Sequence, residues 1–279
     1  MYDNNPLTKY FRQPKIYLSL PSGGQFYPPG VIQGDPSKLP VFGMSAMDEI
    51  LFKTPDGLFS GESSVQVIKS CIPSITNPWA IPSLDLDAIF LGIRIATYGD
   101  VMPTNFECKK CKETNAFDLN LSRSLDYLNS LEYIDSIIVG PLKVNFRPVN
   151  YQEITQANLK IYELRRQLAQ KIDSKNEEDT KKQTKIINKA LSDIANVEVK
   201  TFIKGIVSVE TEDDTVEDTA FIEEWLSNSD KEFYDKIKEH LNDQRDKWSI
   251  KAQKVQCAEC QHENTVTITL DNADFFARG

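Results

Sequence analysis

Apolar and polar positions along the chain change register three times. KIYLSLPS alternates as a strand, and SGGQFYPPG after it is turn chemistry, with glycines for unusual dihedrals and prolines that block regular pairing. From Ser45 the spacing becomes helical: Ser45 is placed to cap SAMDEILFK, with Asp48 at the acid position of a capping box and an end near Thr54. A second helix is expected over GESSVQVIKSC, stopping at Pro73, and a third over IPSLDLDAIFLGIRIATYG, with Ser83 as cap and Gly99 as terminator. In the third, Leu84, Ala88, Leu91, Ile95 and Tyr98 share a stripe that Ile89, Phe90 and Ile93 widen, which marks it as the centre of an N-terminal core. Asp85 and Asp87 in its first turn suit the helix dipole.

Beyond this core, NAFDLNL alternates as a strand and PLKVNFRPV, after a turn at Gly140, reads as another, with a short helical or irregular piece between them. From about 150 to 250 the chain is polar, charged and nearly free of glycine and proline. Ile154, Ala157, Ile161, Leu164, Leu168 and Ile172 recur at helical steps, and Ile187, Leu191 and Ile194 repeat the pattern beyond SKNEED, which predicts an antiparallel helical hairpin with a narrow seam. Glu210–Glu224 holds eight acids and no base, a solvated acidic face or a surface for a basic partner. A last helix, SDKEFYDKIKEHLNDQRDKW, follows with Ser229 as its cap. The fold class expected is α+β and mostly helical, divided as 1–104 (arm and helical core), 105–150 (first cysteine half and strands), 151–250 (helical insertion) and 251–279 (second cysteine half and tail).

Composition narrows the function. With 279 residues and 40% hydrophobic content the chain can bury a sizeable core. No stretch approaches the roughly 20 apolar residues of a membrane span, and no signal-peptide layout opens the chain, so a cytoplasmic location is expected. A net charge of -9 argues against nucleic acid as partner; Lys109, Lys110 and Lys112 form the one local basic cluster, read as polar surface.

The sharpest signal lies in the cysteines. Cys108/Cys111 and Cys257/Cys260 are two C-x-x-C pairs, the spacing that lets two thiolates on a tight knuckle reach one metal. FECKKCKETNAFDLNL and VQCAECQHENTVTITL align at both cysteines, at Asn115 with Asn264 and at Leu121 with Leu270, and strand-like alternation follows each pair. The arrangement predicts a split zinc ribbon of short antiparallel strands, with one structural Zn²⁺ per chain. Closing the 145-residue loop from 112 to 256 would cost about 4 to 5 kcal/mol against the roughly 10 to 16 kcal/mol of a structural zinc site. Ligand count alone does not separate zinc from an iron–sulfur cluster; the repeated knuckles favour zinc. A redox dithiol carries one pair at a strand-to-helix junction, and a catalytic zinc keeps a position open that four cysteines would close. Cys71 among apolar helical neighbours reads as a small buried hydrophobe, and His262 as a turn residue. With two histidines in the chain, no phosphate loop and no nucleophile elbow, no catalytic constellation is expected, nor a small-molecule substrate.

The segments YLSLPSGGQFYPPG, LPVFGMSAMDEILFKTPDGLFSGESSVQVIKSCIPSITNPWAIPSLDLDAIFLGIRIATYG, CAECQHEN and LDNADFFARG together resemble the baseplate hub proteins of T-even-like contractile-tailed bacteriophages. That resemblance implies a phage tail protein, made in the bacterial host cytoplasm, whose partners are other tail or baseplate hub proteins. It is compatible with a permanent virion subunit of the baseplate and with a transient chaperone for a component such as the tape measure protein. A zinc-ribbon nucleic-acid binder is the reading of a different class. Phe26 and Tyr27 in the proline-flanked loop and Phe275 and Phe276 at the C-terminal end are the candidate docking anchors, each of which could equally plug its own core.

Overall fold

The computed structural model describes residues 6–52, 60–172 and 180–266. It divides into two compact units: residues 1–131 with 248–279, and residues 132–247.

The first unit opens with β1 (Pro14–Leu18), antiparallel to β2 (Leu39–Phe42). Among the described residues three α-helices follow: α1 (Ala46–Phe52), α2 (Glu62–Cys71) and α3 (Ser83–Tyr98). The capping box is present, since Asp48 N–H donates to Ser45 Oγ at 3.3 Å and Ser45 N–H returns to Asp48 Oδ2 at 2.8 Å. Arg12 adds to it, donating to Asp48 Oδ2, the Gly43 carbonyl and Ser70, and so pins the start of β1 between α1 and α2. Helix α3 is buried almost all round, which makes it the centre of this unit as its apolar stripe predicts. Its cap differs from expectation: Pro82 holds the cap position and Ser83 is already helical. Gly99 ends the helix with φ 92°, its N–H bonding Ile95 O.

Asp85 does more than face a dipole. Fully buried, its carboxylate accepts from Ser22 N–H at 2.8 Å, Ser22 Oγ at 2.6 Å and Tyr27 Oη at 2.8 Å, so it anchors the glycine-rich loop onto α3. The unit continues with the hairpin β3 (Val101–Glu107)/β4 (Thr114–Asn120) and α4 (Leu121–Asn129), capped by Asn120. Its last described element is the hairpin β9 (Gln253–Gln256)/β10 (Glu263–Val266). The returning chain docks on the unit through buried Trp248 and Ile250; the Ile250 N–H bonds Asp87, and Lys251 stands over the Tyr127 ring.

The second unit is built on a four-stranded antiparallel sheet, β5 (Ser136–Val139), β6 (Leu142–Phe146), β7 (Ile206–Glu210) and β8 (Thr215–Val216), in that order. Val139, Val144, Phe146, Ile206 and Val209 form its core with Ile203, Ile222, Leu226 and Ile237 from the helices. Between β6 and β7 the chain makes α5 (Tyr151–Ile172) and α6 (Thr180–Lys204), which pack on each other. Helix α5 starts on a reciprocal Asn150/Glu153 box, with Glu153 also held by both Arg147 amino groups. The seam positions Ile154, Ala157, Ile161, Leu164 and Leu168 are half-buried, whereas Leu191, expected in the facing stripe, is exposed. Helices α7 (Thr219–Asn228) and α8 (Lys231–Lys247) complete the unit. Ser229 does not cap α8; its hydroxyl donates to Leu226 O and closes the end of α7. The strands of this unit take in segments that the sequence assigns partly to 105–150 and partly to a helical insertion.

No described helix is long and apolar enough to cross a membrane.

Candidate metal centre

Each cysteine pair sits in the turn of a two-stranded hairpin, and the two turns have the same construction. In the first, Cys108 N–H bonds Glu113 O at 2.9 Å and Lys112 N–H returns to Cys108 O at 2.9 Å; in the second, Cys257 N–H bonds His262 O at 3.0 Å and Gln261 N–H returns to Cys257 O at 3.0 Å. Directly after the second cysteine each chain turns through a left-handed residue, Lys112 (φ 64°) and Gln261 (φ 56°). The strand registers agree too: Phe106 faces Asn115 across one hairpin and Val255 faces Asn264 across the other.

The two turns meet. The four sulfur atoms all lie within 4.8 Å of one another, with Cys108 Sγ to Cys260 Sγ and Cys111 Sγ to Cys257 Sγ each 3.6 Å. A tetrahedron of sulfurs about 2.3 Å from a central zinc has edges of about 3.8 Å, so the observed spacing suits that ion. A disulfide would need about 2.05 Å, and all five cysteines are free thiols. The first cysteine of each pair, Cys108 and Cys257, is fully buried, while Cys111 is exposed and Cys260 partly so.

Electrostatics favour a cation here. The Cys111 and Lys110 amides and the Asn264 side chain draw the Cys108 thiol down to about 5, and the Cys260 and Glu259 amides and Asn115 lower Cys257. Cys111, although exposed, is pushed up to about 12: the Glu113 amide lowers it, but partial desolvation at the cluster and the three neighbouring sulfurs outweigh that. Sulfurs this close cannot all ionise without a counter-charge, which a divalent cation would supply.

Two asparagines complete the site. Buried Asn115 accepts from Ala258 N–H at 2.8 Å and donates from Nδ2 to Glu113 O at 3.0 Å and to Cys257 Sγ at 3.4 Å. Buried Asn264 mirrors it, accepting from Lys109 N–H at 2.9 Å and donating to His262 O at 2.9 Å and to Cys108 Sγ at 3.5 Å. Each asparagine therefore serves the knuckle of the opposite hairpin. The internal alignment matches these two residues; their crossed contacts belong to tertiary structure.

Other candidates fall elsewhere. His262 is exposed and contributes its backbone carbonyl, and Lys112 pairs with Glu107 at 3.4 Å on the surface. Phe26 is 37% exposed with φ 67°, whereas Tyr27 is half-buried and its hydroxyl is spent on Asp85; burial of the phenol, and after it the Asp85 charge, raises its pKa. Phe275 and Phe276 lie outside the described residues. Sequence reasoning missed the exposure of several large apolar side chains on and near the N-terminal arm: Tyr10 (73%), Phe11 (58%), Tyr17 (61%) and Met47 (64%). Its one sequence signal is large apolar residues alternating with Lys9, Arg12 and Lys15 and no acid.

Residues 45–277 match a family model described as T4 bacteriophage base plate protein, a span that takes in the helical core, both cysteine pairs and the second unit. No curated protein and no solved structure matches the chain.

Proposed function

Since the chain belongs to the T4 bacteriophage base plate protein family, we propose that its place in the baseplate is the central hub, where it acts by protein contacts on a scaffold clasped by one structural zinc. The observation that carries this reading is the close set of four cysteine sulfurs from two hairpin turns whose inner cysteines, Cys111 and Cys257, have 145 residues between them. Cys108, Cys111, Cys257 and Cys260 would fill all four positions of a tetrahedral ion and leave none for substrate, which supports a structural metal and a non-catalytic role. Bound there, the ion supplies cross-linking between chain segments. The residues themselves supply the rest: backbone amides and asparagines hold the sulfurs in place.

The contact surface is best supported at the N-terminal arm. Arg12 fixes the arm to Asp48 and Ser70, which presents Tyr10 and Phe11 just before the anchor and Met47 beside it on α1. Exposed aromatics on a pinned segment lose little freedom on docking, and large apolar clusters on a surface mark partner sites. Lys9 over Tyr10 and Lys38 over Tyr17 give the surface a cationic rim. A baseplate partner with an apolar, acid-rimmed patch fits it.

Quantitative mass spectrometry of the chain in purified particles, set against the infected-cell lysate, tests the role. A fixed small copy number per particle supports a hub subunit. Abundance in lysate with absence from particles replaces it with an assembly chaperone, and location at the baseplate periphery in labelled particles removes the hub assignment. Elemental analysis of freshly purified, reduced protein tests the clasp; clearly less than one zinc per chain overturns it.

A further inference from the structure

We infer that Asn115 and Asn264 are positioning residues that dock the two hairpins on each other before any metal binds, so that the ion enters and leaves a site already assembled by protein. The inference deepens the zinc reading and rests on it for the metal alone; the docking itself does not.

The argument starts from what an asparagine can do in one place. Its amide offers one acceptor oxygen and two N–H donors. At Asn115 all three are used by different groups: Oδ1 takes the Ala258 N–H of the opposite turn, one Nδ2 hydrogen goes to Glu113 O on its own hairpin, and the other points to Cys257 Sγ. Asn264 repeats the set with Lys109 N–H, His262 O and Cys108 Sγ. The orientation of each amide is fixed by its partners, because rotating it by half a turn would set NH₂ against a backbone N–H and oxygen against a sulfur and a carbonyl. Glutamine would overshoot by one methylene, aspartate would lose both donors, and leucine would strand an amide and a sulfur without partners.

Two of these bonds, Asn115 Oδ1 to Ala258 N and Asn264 Oδ1 to Lys109 N, run directly from one hairpin to the other without involving a sulfur or an ion. Both asparagines are buried, at 7% and 3% exposure, so water competes weakly for them. The remaining cross-links, the N–H to sulfur bonds, aim each buried cysteine and favour its thiolate. Metal ligands are commonly oriented by outer hydrogen bonds of this kind. Here each hairpin supplies the orienting group for the other, so neither half is a competent site alone. Small zinc modules generally fold only when the metal arrives. This one differs in having protein-only bonds across the site and, in the same unit, the buried core around α3.

The test uses the full chain, stripped of metal by chelator under reducing conditions, with hydrogen exchange read at single amides. The metal-free wild type is expected to keep the Ala258 and Lys109 amides protected. Asn115→Ala should release Ala258 while Lys109 keeps more protection, and Asn264→Ala should do the reverse. Exchange of both amides at open-chain rates in the metal-free wild type overturns the inference, as does unchanged protection in the alanine variants. Amides in residues 132–247, whose protection should not change, report that a variant is folded.

Asn115→Asp separates the two roles, since it keeps the oxygen for Ala258 and removes the donor to Cys257. It should retain Ala258 protection yet surrender bound cobalt or zinc to a chelator about tenfold or more faster than wild type. Release at the wild-type rate would overturn the positioning of sulfur. Cobalt charge-transfer bands report loading independently: their absence in wild type would remove the zinc reading, while the metal-free exchange result would still decide the docking.

Discussion

Lys112 and Gln261 carry left-handed backbone at the turn after each second cysteine, where a side chain costs about 1 to 2 kcal/mol. Glycine adopts that geometry freely, and its greater entropy in the unfolded chain offsets part of the gain. Lys112→Gly and Gln261→Gly should therefore raise stability slightly, by up to about 1 kcal/mol in denaturant titrations of the loaded protein. Asp85 and Asp87 give a second residue-scale prediction. Burial raises both from 3.8 to about 6, so the folded state keeps protons that the unfolded state releases. Their stabilising contribution is complete below about pH 4 and is lost as pH rises through about 6. Asn at position 87 can still accept from Ile250 N–H but has no charge to bury. Relative to wild type, Asp87→Asn should gain stability across that pH window and hold a constant advantage above it, read from melts at fixed pH. At this scale the sequence displayed the four clustered cysteines clearly, because C-x-x-C spacing is local chemistry. It displayed Asp85 poorly, because a helix-start aspartate looks the same whether it faces water or three donors from a loop 58 to 63 residues away.

Helices proved more legible than strands, for a reason of length. Sixteen residues of α3 repeat an apolar period often enough to be read alone, whereas β2, β5 and β8 have four, four and two residues. β7 follows α6 after a single glycine, Gly205, and its IVSVE continues a helical apolar pattern without a break that sequence could show. What defines these strands is their pairing, Lys143 with Glu210 and Asn145 with Ser208, which is remote in sequence. Turns tie them down. Gly140 joins β5 to β6 at φ 61°, and a Cβ there would lie 2.8 Å from Phe233 Cζ of α8. Gly140→Ala combines backbone strain with a clash against an adjoining helix and should destabilise by about 2 kcal/mol, measured by denaturant unfolding. In the helical seam the pattern matched burial along α5 but not at Leu191, where α6 turns that position outward. Periodicity gives a face and leaves its occupant to the fold.

At the scale of the whole molecule the division into two units was the least visible feature. The second unit begins and ends in one place: Lys247 Nζ donates to Glu132 O at 3.4 Å, across 115 positions of sequence. No local pattern signals such a closure, and composition placed the boundary near 150 instead. Adjacent ends and a separate core imply that residues 132–247 fold alone, which circular dichroism and a cooperative melt of that fragment should show. Both cysteine pairs lie in the other unit. Chelation under reducing conditions should accordingly lower the melting temperature of one transition and leave the second in place, resolved by calorimetry. A single transition moving as a whole would contradict this partition.

The sulfur clasp also sets a route for force. Traction applied between Pro14 and Val266, inside the first and last described strands of the first unit, would run along the chain to Cys108, cross a bound ion and continue from Cys260. The chain from 109 to 259 would form a slack branch, bearing no tension until metal–sulfur bonds broke. With an ion bound, the second unit would thereby be spared mechanical unfolding. Breaking the clasp would release its whole contour length at once.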